Sequence, residues 1–159
     1  MQDKEYIAIL IQSLEKKKEL LDKIIAKNKE QKYLFEDEGS DPDRLEENMK
    51  EKSEFIDQLN ELDEGFQQIY DRVKMTLQGN KDSYKEEIRT MQRLITEITE
   101  KSATVQAQEQ RNRALAEKRF ANVKKGIRKA RTSNQAASRY YKSMANLNVV
   151  DSQFLDEKN

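Results

Sequence analysis

Acidic side chains cluster at one place in this sequence, and clustered carboxylates can bind a metal ion. Residues 36–43 read Glu-Asp-Glu-Gly-Ser-Asp-Pro-Asp, but their spacing is not that of an EF-hand calcium loop. Helix capping accounts for them more simply, because Asp41 can cap a helix and Pro42 suits a first helical turn. Acid pairs such as Glu46-Glu47 and Glu86-Glu87 are neighbours on a helix surface rather than isolated dyads. We therefore expect no metal site.

The residues most often responsible for catalysis are missing. The 159 residues include no cysteine and no histidine, which removes thiol nucleophiles, thiolate metal sites and the commonest general base. The sequence has no glycine-rich phosphate loop either. It therefore predicts a protein that is not an enzyme, with no catalytic residues and no cofactor.

A basic segment near the C-terminus is the remaining candidate for ligand chemistry. Residues 111–142 carry 11 Lys or Arg and one acidic residue, whereas residues 1–110 carry 18 basic and 26 acidic residues. With Tyr140 and Tyr141, this segment could stack on nucleic acid and contact phosphates. However, its basic residues occupy several helix faces, and the net charge of the chain is zero. A solvated surface or contact with an acidic partner is the simpler interpretation, and we expect no nucleic-acid binding.

Three long helices should position these groups. Apolar residues repeat at spacings of three and four over residues 4–36, 42–78 and 83–130, which is the pattern of one stripe on a helix. The third helix would be about 70 Å long, so the other two should lie along it. The sequence predicts an all-α fold, an antiparallel three-helix coiled-coil bundle over residues 1–130 with a long third helix. Residues 131–159 should form a short, weakly ordered C-terminal tail, which could hold a short helix at 136–147.

Several single residues carry definite expectations within this bundle. Asn28 interrupts the heptad of the first helix, where it could fix register or sit at an edge of the interface, and the edge is the simpler expectation. Gly39 can take the left-handed conformation at a helix end. Gly65 could allow a close helix approach or a bend in the second helix. Ser83 and Glu86 fit a capping box at the start of the third.

The composition suits elongated helices outside a membrane. Apolar residues make up 35% and charged residues 38% of the chain, and a narrow seam between helices needs fewer apolar residues than a compact core. No apolar run approaches the roughly 20 residues needed to cross a bilayer. The N-terminus lacks the basic and apolar regions of a signal peptide. We expect a soluble, cytoplasmic protein.

The apolar stripe of the third helix continues beyond the reach of the other two helices. The stripe beyond about Arg113 should project or pack on fewer partners, which makes it a candidate site for a partner's amphipathic helix. The same residues could instead fold back on the bundle. The predicted partner-binding residues are Leu115, Phe120, Val123, Ile127, Tyr140, Tyr141, Met144 and Leu147.

Three segments resemble the FlgN-type flagellar export chaperone family in its clostridial form. Residues 131–144 (Arg-Thr-Ser-Asn-Gln-Ala-Ala-Ser-Arg-Tyr-Tyr-Lys-Ser-Met) resemble the family's C-terminal segment. Residues 149–156 (Val-Val-Asp-Ser-Gln-Phe-Leu-Asp) resemble its ending, and residues 61–66 (Glu-Leu-Asp-Glu-Gly-Phe) a part of its middle. The likeness spans most of the chain, and it is specific at the tail and generic in the coiled-coil body.

The resemblance implies a cytoplasmic chaperone of type III flagellar export. Such a protein binds hook-associated proteins through their C-terminal helical segments, prevents their premature self-association and assists their delivery to the export apparatus. The family's C-terminal helical region is implicated in holding the substrate, although the tail could contact the export gate or ATPase complex. We expect a monomer or weak dimer that does not insert into membranes. The alternative hypothesis is a structural coiled-coil adaptor or a self-associating oligomer without chaperone activity.

Overall fold

The structure, a computed structural model, describes residues 2–126, with side chains as far as Asn122. Helix α1 spans Gln2–Glu36, α2 spans Pro42–Gly79 and α3 spans Lys85–Gly126. The described residues contain no β-strand, so the predicted all-α three-helix fold is confirmed. The expectations for residues 131–159 lie outside the described residues. Within the part of the chain that is described, no helix combines the length and hydropathy needed to cross a membrane.

Polar contacts between side chains define the directions of the three helices. As the contact positions on α1 rise in number, their partners on α2 fall in number. Their partners on α3 rise with them, and the difference in residue number stays nearly constant. Helix α2 is therefore antiparallel to both α1 and α3. The pairs are Asp3–Thr76, Lys17–Asp63 and Lys27–Glu51 between α1 and α2, and Lys18–Glu97, Asp22–Lys101 and Asn28–Gln108 between α1 and α3.

Helix α1 lies at the centre of the packing. Its backbone packs closely on both α2 and α3, whereas α2 and α3 approach each other much less. The expectation that the two other helices lie along the third therefore holds for α1, whereas α2 reaches α3 mainly through its side chains. Length does not decide which helix is central, because α1 carries the densest set of buried apolar residues. These residues are Ile7, Leu10, Leu14, Leu20, Leu21, Ile24, Leu34 and Phe35.

The connection between α1 and α2 is built from the acidic residues that the sequence marks as caps. Asp41 is the N-cap of α2, and its Oδ1 accepts a hydrogen bond from the Asp43 N–H at 2.9 Å. Pro42 is the first residue of that helix, as predicted. No glycine among the described residues has a positive φ, so the left-handed conformation expected for Gly39 is wrong. Instead, the Gly39 N–H donates to Asp37 Oδ1 at 3.0 Å, a side-chain turn that needs no left-handed residue.

Two other local expectations also change. Helix α3 begins at Lys85 rather than Ser83, because residues 81–84 form a turn in which the Ser83 N–H donates to the Asn80 carbonyl at 3.1 Å. Helix α2 is continuous through Gly65, and a Cβ atom placed there would meet nothing within 4 Å. The glycine at position 65 is therefore not required for the close approach of another helix.

Candidate partner-binding surfaces

The C-terminal part of α3 is the partner site that the sequence predicts. Leu115 is half-buried and packs against the apolar core, and Phe120 is also half-buried. Val123 belongs to α3, but its side chain is not described. The other five predicted residues lie outside the described residues: Ile127, Tyr140, Tyr141, Met144 and Leu147. The described part of this surface is thus a partly covered stripe.

Arg119 holds this part of α3 to the connection between α1 and α2. Its Nη1 donates to the carbonyl oxygens of Leu34 and Asp37 and to Ser40 Oγ, the last two at 3.0 and 3.2 Å. Of the two expectations for α3 beyond about Arg113, projection or packing on fewer partners, projection is therefore wrong as far as Arg119. The carbonyls at the end of α1 need hydrogen-bond donors, and the arginine supplies them. From Phe120 onward α3 continues to Gly126.

A buried polar layer joins the three helices in the half of the bundle near the α1–α2 connection. At its centre, Lys52 of α2 pairs with Glu109 of α3, and their side chains are 3% and 2% exposed. Lys52 Nζ also lies 3.4 Å from Gln31 Oε1. Asn112 Nδ2 donates to Gln31 Oε1 and to the Asn28 carbonyl, both at 3.0 Å. The layer links α2 directly to α3, although their backbones are not closely packed.

Asn28 occupies the interior of this layer. Its side chain is fully buried, and its Nδ2 donates to Gln108 Oε1 at 3.2 Å. The expectation that Asn28 sits at the edge of the interface is wrong. Its partners come from residues 106–113, where the apolar stripe of α3 is interrupted. The interface between α1 and α3 continues through this stretch with polar side chains in place of apolar ones. Buried polar groups require hydrogen-bond partners of this kind.

An open groove lies between α2 and α3 in the other half of the bundle. It encloses about 670 Å³, and Leu14 and Lys17 of α1 form part of its lining. Its walls are mainly apolar. They include Leu62, Phe66 and Tyr70 of α2 and Ile88, Met91 and Ile95 of α3. The groove has the apolar lining that a protein segment could cover.

The sequence contains a sign of this groove that a heptad pattern alone does not reveal. Spacings of three and four place Ile88, Met91, Ile95 and Ile98 on one stripe of the third helix, but Ile95 is 45% exposed. Leu94 is the neighbouring residue that is buried, at 2% exposure. Together with Ile88 and Met91, these residues make an apolar stripe on α3 wider than one seam requires. The groove-facing edge of that stripe remains partly open.

In two ion pairs between helices, the pKa of one member, Glu97 or Lys27, is shifted away from neutrality. The hydrogen bond from Lys18, with Nζ 2.8 Å from Glu97 Oε2, lowers the pKa of Glu97 below its ordinary value of 4.5. The hydrogen bond to Glu51 raises the pKa of Lys27 above its ordinary value of 10.5. Both shifts favour the charged forms. Neither group is therefore poised to transfer protons near neutral pH.

The described geometry defines a helical bundle whose notable surfaces are suited to binding protein segments. A family model described as FlgN protein matches residues 1–148. The chain therefore belongs to the FlgN family, whose members are chaperones of flagellar type III export. The family resemblance of the sequence is confirmed. No curated protein and no solved structure matches the chain.

Proposed function

We propose that this protein is a cytoplasmic chaperone that binds flagellar hook-associated proteins before their export. The observation that carries this proposal is the family match over residues 1–148, because FlgN chaperones bind hook-associated proteins. The chaperone keeps the terminal helix of its partner from self-association and assists its delivery to the export apparatus. No chemical step is required, since the work is done by binding.

The proposed binding surface is the end of α3 together with residues that follow it. It comprises Leu115, Phe120, Val123, Ile127, Tyr140, Tyr141, Met144 and Leu147. Two features support this choice. Leu115 and Phe120 are half-buried, so each leaves part of an apolar side chain accessible. Arg119 anchors the helix between them to the bundle, which would present the stripe at a fixed position and lower the ordering cost of binding.

An amphipathic helix of the partner would lay its apolar face on this stripe. Apolar burial contributes about 25 cal/mol per Å². A contact of a few hundred Å² is therefore worth several kcal/mol before the ordering costs are subtracted. Aromatic residues would dominate the affinity, because they bury the largest area per side chain.

Titration calorimetry with C-terminal fragments of hook-associated proteins from the same organism tests the proposal. We expect saturable binding by the full chain and none by the double variant Phe120→Asp/Val123→Asp. The matched control is Ala121→Asp/Asn122→Asp, which adds the same charge at two exposed positions of the same helical turn. This control should bind like the wild type. Circular dichroism should show equal helicity in all three proteins.

The results separate the function from the site. Equal affinity of the wild type and the Phe120/Val123 variant would reject the proposed surface and leave the function standing. Failure of every fragment to bind would reject the chaperone function. In that case, a sedimentation mass that rises with concentration would support the self-associating adaptor.

A further inference from the structure

The groove between α2 and α3 lacks a covering element among the described residues. Its half of the bundle has apolar walls on both helices, with Tyr70 and Ile95 37% and 45% exposed. In the opposite half, the Lys52–Glu109 pair connects the same two helices. A fourth segment laid along the groove would remove this apolar surface from water, which is favourable.

We propose that residues 148–157 of the same chain dock in the groove between α2 and α3. This segment reads Asn-Val-Val-Asp-Ser-Gln-Phe-Leu-Asp-Glu. In a helical conformation, Val150 and Phe154 are four residues apart and share a face. Ten helical residues are about 15 Å long. The groove wall of α3, from Ile88 to Thr99, has a similar length of about 18 Å.

The connection to α3 allows this docking. The bundle end where α3 reaches Gly126 is opposite to the groove, and returning from there to Thr99 covers about 40 Å along the helix axis. Residues 127–147 link Gly126 to the segment, and such a linker spans up to about 70 Å when extended. The Ile88 end of the groove lies farther from Gly126, at about 57 Å. The segment would therefore enter from the nearer Thr99 end and run antiparallel to α3.

Charge favours this direction. Four charged residues line the groove. Lys17 and Asp63 form an ion pair with each other at 2.7 Å, and the other two are Lys74 and Lys81. Residues 148–157 contain three acidic and no basic residues. Lys74 and Lys81 lie towards the end of the groove near the α2–α3 turn, which is where Asp156 and Glu157 would arrive. Complementary charges therefore meet at the far end of the groove.

A disulfide test in the full chain is direct because the sequence contains no cysteine. If Asn148 lies level with Thr99, Gln153 lies within one residue of the level of Ile95, since antiparallel helices rise equally per residue, and it flanks the face that Val150 and Phe154 share. The reporter is the pair Ile95→Cys/Gln153→Cys. The control pair is Ile9→Cys/Gln153→Cys, because Ile9 is 40% exposed and does not line the groove. Both pairs keep Val150 and Phe154 intact.

Under mild oxidation at low protein concentration, we expect the groove pair to form its intramolecular disulfide at least about tenfold faster than the control pair. Adding Phe154→Asp should reduce the groove pair to the control rate. Equal rates for the two pairs, or a rate that Phe154→Asp does not change, would overturn the proposal. Predominant disulfide-linked dimers would also overturn it and assign the groove to a second copy of the chain.

Charge reversal provides an independent test that leaves the apolar contacts unchanged. Lys74→Glu/Lys81→Glu should slow disulfide formation in the groove pair, and adding Asp156→Lys/Glu157→Lys should restore it. Faster formation in the lysine variant would contradict the proposed direction. The docking does not depend on the proposed function, so its failure would leave the chaperone hypothesis unaffected.

Discussion

Lys52 of α2 and Glu109 of α3 form an ion pair inside the bundle, with side chains that are only 3% and 2% exposed. Burial removes both charges from water, and each then depends on the other for its stabilisation. Gln31 of α1 adds a hydrogen-bond acceptor to the lysine at 3.4 Å. The pair thus connects all three helices at one level. We infer that it fixes their register, because a shifted arrangement would separate the two charges.

Removing only one charge of this pair should be strongly destabilising. Lys52→Met keeps most of the side-chain volume but leaves the Glu109 carboxyl group in the interior without its cationic partner. We expect it to lower the free energy of unfolding by about 3–5 kcal/mol. The double variant Lys52→Met/Glu109→Met should recover most of the loss, since apolar side chains can replace a buried pair at little cost. Urea unfolding followed by circular dichroism measures both changes.

The exposed Lys50 supplies the control, because Lys50→Met removes a charge from the same helix at the surface. Its effect should remain within about 0.5 kcal/mol. A loss below about 1 kcal/mol in Lys52→Met would show that the Glu109 carboxyl group does not depend on the lysine. It would also reject the assignment of register to this pair.

The heptad pattern predicts which positions face inward better than it predicts what they contact. Lys52 continues the apolar spacing of the second helix, three residues after Met49 and four before Ile56, and it is buried. Spacing does not predict its partner Glu109, because residues 106–113 have no apolar stripe that marks the inward face. Spacing describes one helix at a time, whereas pairing depends on the relative position of two helices.

The groove was unpredictable for a similar reason. The periodicity places Met91, Ile95 and Ile98 on neighbouring parts of α3. It does not predict the distance between α2 and α3. That distance decides whether a residue on the edge of the stripe is covered. Ile95 remains 45% exposed because α2 does not close over it. The central role of α1 likewise follows from packing on two sides, which its length does not reveal.

Replacing Gly65 with alanine should stabilise the protein. Gly65 lies within the continuous helix α2, and an added Cβ would meet no atom within 4 Å. Alanine restricts the unfolded chain and favours the helix, so we expect a gain of about 0.5–1 kcal/mol. Thermal and urea unfolding would both report it. Gly79→Ala, at the last residue of α2, should give a smaller gain, and a loss of stability in Gly65→Ala would contradict this account.

Acidification should weaken the contact between α1 and α3 at Lys18 and Glu97. The hydrogen bond from Lys18 lowers the pKa of Glu97, so the folded state binds a proton there less readily than the unfolded chain. The associated stability is present above the ordinary value of 4.5 and is lost as the pH falls through the folded-state pKa. We therefore expect Glu97→Gln to show a smaller drop in urea midpoint than the wild type between pH 7 and pH 3.

The contribution of this ion pair should also depend on salt, because exposed charges are screened. Glu100→Gln, at an exposed position one turn along α3, is the matched control and should keep the pH dependence of the wild type more closely. If Glu97→Gln and the wild type lost the same stability on acidification, the acid sensitivity would reside in other carboxylates.

Arg119→Ala should loosen the end of α3 from the connection between α1 and α2. The variant loses donors to the carbonyls of Leu34 and Asp37 and to Ser40 Oγ. Hydrogen bonds from a charged group are worth about 1.5–3 kcal/mol when buried, and this site is partly exposed. We expect a loss of about 1–2 kcal/mol and faster amide hydrogen exchange over residues 115–122. Lys118→Ala, at the exposed neighbouring position, should change neither. Exchange that accelerates uniformly along α1, α2 and α3 would instead mean that Arg119 supports the whole bundle, because a local anchor affects only the segment that it holds.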